Sequence, residues 1–441
     1  MTHPGSGSCF LQVGAANRIF PRWHDMVGRG ALSRTTCKGM HSLLAVTLFL
    51  CAATATHAAN GRTPSSLQTE DTQISSDALM QSLEDALSAN NVVKARELLS
   101  KILQRPHLTS DSLLRLGIEF TKQELYADAA EVFRRCIQEH PQTFEAYYNL
   151  ALADIVQQKW DAAMATLQEA PQDSKAKVLA CSYLRGKVED AQRKTEEAEH
   201  DLSQAFAGAP QNPTYGMDLG MFYVHQRAYP KAATVFERAA GFNSNSPFLL
   251  LGLALSRFLA GQHEQSISAL RELLSVQPDF APAQLLLAFA LSNEGKLEDA
   301  KQVAHRGLNS SHPSPYLYYL DASVLVKLQS HEYRRIFEEL SIAQREIPSC
   351  TLCYLTESKA HQAQGNVPAA IADLEMATRM DPNFPEAWYR LASLYRRVGR
   401  NGDASQAQNR FQALKTDKEG RETQMLRDNF MQTLDSAQAM Q

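Results

Sequence analysis

The sequence predicts an all-α protein built from stacked helical hairpins. Three observations carry that prediction. Apolar residues recur three and four apart along most of the chain, which is the helical period. The pattern returns about every 34 residues, and self-similarity on that scale marks a repeat array. No strand-rich segment stands between the helical stretches to carry a nucleotide-binding fold. At 441 residues, 44% hydrophobic and 21% charged, the chain is long enough for two or three ordinary domains or for one extended array. The periodicity selects the array.

The first element, residues 1–58, reads as a signal-peptide region. Its apolar run Leu43–Ala53, LLAVTLFLCAA, falls within the roughly 7–15 residues of a signal h-region and short of the ~20 that span a membrane. Small residues at Ala53 and Ala55, or at Thr56 and Ala58, offer cleavage sites. The stretch before the run is longer than a signal n-region needs. A start at Met26 would leave Arg29, Arg34 and Lys38 as a compact positive n-region, so the true start is expected downstream of Met1. Lipid attachment at Cys51 is not expected, because Leu50 is bulky where such a signal requires a small residue. The expected address is export, to the periplasm or beyond, with no membrane span in the mature chain. Residues 59–75 follow as a polar, turn-rich linker, and residues 76–109 as an irregular helical hairpin.

The repeat is clearest at 385–404, PEAWYRLASLYRRVGRNGDA. Trp388, Leu391, Ala392 and Tyr395 share one helix face, Gly399 ends that helix, and Asn401 to Asp403 start the next. Ala404 is small where the second helix must cross closely behind the first, as Leu374 and Ala377 serve the crossing one unit earlier. Unit starts at 110, 144, 213, 247, 281, 351 and 385 align Leu116, Leu150, Leu219, Leu253, Leu287 and Leu391 in one column. The next column is small: Gly117, Ala151, Gly220, Ala254, Ala288, Ser358 and Ala392. Tyr126, Trp160, Tyr229, Leu297 and Val367 share the hairpin turn, and Ala129, Ala163, Ala232, Ser266, Ala300, Ala370 and Ala404 form a second small column. Pro141, Pro278 and Pro382 close their units, since proline lacks the N–H and clashes with the preceding turn.

With large, Leu, small, aromatic, small and Pro positions in that order, the chain resembles the tetratricopeptide repeat (TPR) family. The resemblance covers 110–416 in about nine units, of which 178–212 and 314–350 are degraded. It implies a right-handed α-solenoid of stacked helix-turn-helix repeats, the first helix of each pair lining a concave groove. One hairpin cannot bury its own apolar face, so stability accumulates between neighbours.

On that geometry the groove is lined by Tyr148, Leu152 and Ile155, by Met217, Met221 and Val224, by Leu251, Leu255 and Phe258, and by Leu285 and Phe289. The last unit instead presents Tyr389, Arg390, Arg396 and Arg397. One reading is a hydrophobic trough that receives an amphipathic or apolar segment of another protein, with a basic end for acidic groups. The other is that these side chains pack between adjacent first helices, apolar residues at helical spacing being core more often than site. Some members of the family grip C-terminal carboxylates with Lys and Asn at the fifth and ninth groove positions. Here those positions hold Leu114 and Ile118, Tyr148 and Leu152, Met217 and Met221, so no carboxylate clamp is expected.

Local motifs of catalysis are absent from the sequence: no phosphate-cradling glycine loop with Lys-Ser/Thr, and no HExxH. No histidine pair stands at ligand spacing on one helix, and His225, His263 and His361 sit on ordinary repeat helices. The expectation is therefore no enzyme, no metal and no cofactor. Formal net charge is -4, which gives no basic field to draw nucleic acid or anionic membrane. Cys350 and Cys353, in SCTLC, are either a local disulfide pinning a turn between units or two free thiols; the exported reading favours the disulfide. Cys136 and Cys181 are expected to be inert. The tail, 417–441, carries one amphipathic stretch, Met425 to Leu434, and serves either as a solvating cap or as a docking helix.

The functional expectation is a non-catalytic, exported protein-binding scaffold that holds a partner segment in its groove. The alternative is a structural subunit of an envelope or export machine, such as polysaccharide export or outer-membrane assembly, acting through the convex face or the tail.

Overall fold

The computed structural model describes residues 76–310, 313–414 and 421–440, and these hold twenty-one helices and no strand. The expected signal region, the linker and Cys51 lie outside the described residues. In chain order the helices are α1 (Ser76–Ser88), α2 (Val92–Leu103), α3 (Ser110–Lys122), α4 (Tyr126–Glu139), α5 (Phe144–Val156), α6 (Trp160–Glu169) and α7 (Lys175–Ala191). Then come α8 (Thr195–Gly208), α9 (Pro213–His225), α10 (Tyr229–Phe242), α11 (Pro247–Leu259), α12 (His263–Val276), α13 (Ala281–Asn293) and α14 (Leu297–Leu308). The remainder are α15 (Pro315–Lys327), α16 (Tyr333–Glu346), α17 (Thr351–Ala363), α18 (Val367–Met380), α19 (Pro385–Arg397), α20 (Asn401–Leu414) and α21 (Arg421–Met440).

Contacts divide the described chain into two units, the first extending to Phe222 and the second spanning Tyr223–Asp435. In the first, α1 packs on α2, α3 on α4, α5 on α6 and α7 on α8. In the second, the pairs α11/α12, α13/α14, α15/α16, α17/α18 and α19/α20 repeat the same hairpin, and the first helices α11, α13, α15 and α17 also touch one another in turn. This is an all-α helical-repeat solenoid.

The small columns explain the close crossings. Ala129, Ala163, Ala232, Ser266, Ala300 and Ala370 are fully buried, as are Ala151, Ala254, Ala288, Ser358 and Ala392. At Gly117 even a methyl group is too large, because a Cβ there would lie 2.4 Å from the Phe133 ring. The unit at 178–212, degraded in sequence, still forms the complete hairpin α7/α8, with Gly186 supplying the small position against Leu202. Likewise 314–350 forms α15/α16, with Ala322 and Ala343 buried at the crossing.

Each described hairpin turns through one left-handed residue, which lets the chain reverse with a hydrogen bond from the residue after it. Glycine fills this role at Gly261, Gly295, Gly365 and Gly399, whereas Asn90, Glu124, Gln158, Arg193, Arg227 and Gln329 adopt it despite their side chains. The matching bonds include Lys159 N–H to the Asp154 carbonyl at 2.8 Å and Arg400 N–H to the Tyr395 carbonyl at 2.8 Å. Only the four glycine turns announce themselves in the sequence.

Candidate functional site

In the second unit, α11 and α13 lie side by side and present an apolar face. Their sequences, PFLLLGLALSRFL and APAQLLLAFALSN, are apolar nearly all round, which is the pattern of a helix covered on more than one side. One side packs on second helices. The other carries Leu255, Phe258 and Leu259 from α11 and Leu286 and Phe289 from α13, with the Phe258 and Phe289 rings 5.2 Å apart.

That side is occupied. Thr423, Leu426, Arg427 and Phe430 of α21 lie against it, leaving no water-sized space in the seam. Leu426, Phe430 and Leu434 are all buried, and their spacing of four places them on one stripe of α21. Asp428 and Gln432, on the opposite stripe, are exposed. Burying three such side chains is worth roughly 1.5–3 kcal/mol each. Fixing the backbone of this 20-residue helix at about 1–2 kcal/mol per residue exceeds that gain, so α21 also relies on its own hydrogen bonds.

The residues expected to line an open trough are thereby placed. Leu251, Leu255, Phe258, Leu285 and Phe289 are buried, with Leu255, Phe258 and Phe289 against α21. The trough over α11 and α13 is therefore covered, and the cover is the amphipathic stretch of the chain's own tail. The cap reading of that tail changes accordingly, since its apolar stripe faces α11 and α13 in the middle of the array. Leu259 and Leu286 also line this seam although their positions in the repeat gave no reason to choose them. The spacing of Leu426, Phe430 and Leu434 was the one signal pointing here.

In the first unit, Ile155, Met217 and Met221 are buried, while Tyr148 and Leu152 are half-buried. Met217 and Met221 share α9 with Tyr215 and Asp218, which belong to a polar-aromatic cluster. The Tyr183 hydroxyl donates to Asp218 Oδ2 at 2.5 Å, Lys187 Nζ lies 3.0 Å from the same oxygen, and the Tyr183 and Tyr215 rings are 4.8 Å apart. Burial pushes the phenols of Tyr148, Tyr183 and Tyr215 well above their ordinary range, and Asp218 raises Tyr148 and Tyr183 further. Met217 and Met221 thus lie in the interior, and on the same helix Asp218 is reached by Tyr183 and Lys187 of α7. In the second unit Val224 is buried.

Tyr389, Arg396 and Arg397 are exposed, and Arg390 is tied to Glu386 at 3.1 Å. Tyr389 rests against Phe411 with ring centroids 5.3 Å apart.

Cys350 and Cys353 are joined in a disulfide at the start of α17. Cys136 and Cys181 are free and buried, and burial raises both thiols to about 11. Beside them in chemical interest is a buried charge cluster. Arg335 Nε donates to Glu339 Oε1 at 2.8 Å, and the same guanidinium pairs with buried Asp321 and lies 3.4 Å from Glu332. One guanidinium thus serves two buried carboxylates. Burial first, and the Asp321 charge after it, push Glu339 up to about 8 against the pull of Arg335. Among the described residues no group of three His, Cys, Asp or Glu side chains is placed to hold a metal ion. Nor is any described helix long and apolar enough to cross a membrane.

The fold and its repeated crossings define a helical-repeat protein. Two family models described as tetratricopeptide repeat match the chain, one at 120–178 and 257–323, the other at 183–247 and 355–419, together more than half of it. The chain belongs to the tetratricopeptide repeat family. It is similar to anaphase-promoting complex subunit 3 of Schizosaccharomyces pombe, 22% identical over 188 residues, covering 42% of this chain and 28% of that protein. It is also similar to the peroxisomal targeting signal receptor of Candida albicans, 24% identical over 223 residues, covering 47% and 36%. The chain thus spans about a third of the length of the curated relatives it matches. Among solved structures, the APC/C hetero-tetramer Cut9-Hcn1 aligns with 80% of this chain and 96% of its own at 12% identity and a TM-score of 0.43.

Proposed function

We propose that this protein is a non-catalytic scaffold whose first-helix face, at α11 and α13, receives an amphipathic helix from another protein. The observation that carries the reading is α21, because an amphipathic helix already sits there with Leu426 and Phe430 on Leu255, Phe258 and Phe289. Helix-in-groove recognition needs an apolar floor and a ligand whose apolar residues return once per turn, and both are present. Similarity to a protein named as a targeting signal receptor supports binding of a polypeptide segment rather than a small molecule. The exposed Tyr389, Arg396 and Arg397 provide a second, basic contact for acidic residues of the same partner. The apolar run Leu43–Ala53 supports an exported address, in the periplasm or outside the cell.

The test is binding of a fluorescent peptide of residues 421–440 to the full chain, followed by anisotropy up to millimolar peptide, beside a scrambled peptide of equal composition. The native spacing is expected to bind and the scramble to fail. With α21 unseated by Leu426→Asp and Phe430→Asp so that it does not compete, charge placed at the seam by Leu259→Glu is expected to weaken binding at least tenfold. Equal affinity for both peptides would refute a groove that reads helical spacing.

A further inference from the structure

We infer that α21 is a tethered competitor: it holds the α11/α13 face closed, and a partner helix gains the face by displacing it. This rests on the helix-receptor reading above and adds how access to that site is regulated.

Three features support a displaceable occupant over a permanent core element. First, the hairpins complete their own crossings without α21. Their small columns are buried where first helix meets second, whereas α21 belongs to no hairpin and lies on the remaining side of α11 and α13. Second, the match is imperfect. Of the four α21 side chains lining the seam, Thr423 and Arg427 are polar and only Leu426 and Phe430 are apolar. A partner helix with apolar residues at all four positions makes the better ligand for a floor of Leu255, Phe258, Leu259, Leu286 and Phe289. Third, α20 ends at Leu414 and α21 begins at Arg421, so a short stretch of chain ties the competitor to its site. A short tether gives an effective concentration on the order of millimolar, which a weak ligand turns into high occupancy and a stronger one overcomes.

A receptor that is only fractionally open binds with its intrinsic constant divided by the open fraction. Unseating α21 should therefore tighten binding of an added helix without changing the face itself. The variant is Leu426→Asp with Phe430→Asp, which places two charges in the seam from the α21 side and alters no residue of α11 or α13. The probe is the same synthetic peptide, residues 421–440, titrated against the full-length wild type and the full-length variant, with circular dichroism and a thermal melt to establish that the variant's repeats are folded.

The expected result is at least tenfold tighter binding to the variant. Hydrogen exchange on the wild type supplies an arm that needs no variant: saturating peptide, isotopically labelled so that its fragments differ in mass from the chain's, should speed exchange across 423–434 of the chain while α11 and α13 stay protected. Measurable but equal affinity in the two proteins, or binding that leaves exchange of 423–434 unchanged, would overturn the gate and leave the receptor reading standing. No binding to either protein would overturn both.

Discussion

Gly252 shows how closely the binding face depends on the crossing behind it. This glycine lies buried in α11, and a Cβ built on it would sit 2.7 Å from Cε1 and 2.8 Å from Cζ of Phe236 in α10. Carbon atoms prefer about 3.5–4.0 Å, so Gly252→Ala requires α10 and α11 to separate by roughly 1 Å. The Phe236 ring is fully buried and has nowhere to retreat. Overpacking of this kind costs about 1–3 kcal/mol. Alanine returns up to about 1 kcal/mol as the better helix former, leaving a net loss of up to about 2 kcal/mol when that return is complete.

Gly241, in α10, is the internal control: nothing lies within 4 Å of its would-be Cβ, and Gly241→Ala should stabilise by about 0.4–1 kcal/mol. In a unit of this size each kcal/mol moves the midpoint by roughly 2–4 °C, so thermal melts followed at 222 nm should show shifts of opposite sign. Shortening the ring by Phe236→Leu should then make Gly252→Ala nearly neutral, a coupling of about 1–2 kcal/mol in the double-mutant cycle. Because α11 also carries Leu255 and Phe258, the single variant should loosen α21 as well. A Gly252→Ala protein as stable as wild type with Phe236 intact would refute the close-crossing argument.

Two further outcomes follow from the buried titratable groups. Glu339 has a folded-state pKa raised to about 8, so its contribution is fully favourable below the ordinary carboxylate range and is lost as pH rises through about 8. Between those limits unfolding free energy should fall by up to about 1.4 kcal/mol per pH unit, and Glu339→Gln, which keeps an acceptor for Arg335, should flatten the slope. Urea denaturation from pH 5 to 9 reads this, and an unchanged slope in the variant would count against the burial of Glu339 beside Asp321 as its cause. For the cysteines, a thiol raised to about 11 is roughly one part in a thousand thiolate at pH 8, so Cys136 and Cys181 should resist iodoacetamide in the folded chain and label once it is denatured. Cys350 and Cys353 should label only after denaturation together with reduction. Peptide mapping distinguishes the four, and labelling of either of the last two without reductant would contradict the bond.

The sequence by itself determined the hairpin, the repeat and the positions where helices cross. Those features depend on residue size at fixed local spacing. Ala129 or Ala404 must be small whatever lies further along the chain, and proline or glycine stops a helix for reasons confined to a few bonds. Degraded units were harder to read because their crossings are rebuilt from other residues, Gly186 against Leu202 among them. Only the tertiary structure decided that the trough is closed and by what. The apolar stripe of α21 was legible as amphipathic, but its partners Phe258 and Phe289 lie more than a hundred residues earlier, and no local period encodes a docking between segments so far apart. The same holds for Asp218, whose pairing with Tyr183 and Lys187 joins two hairpins through side-chain reach. Spacing fixes which residues share a face, while the choice of what covers that face belongs to contacts that form after the chain has folded back on itself.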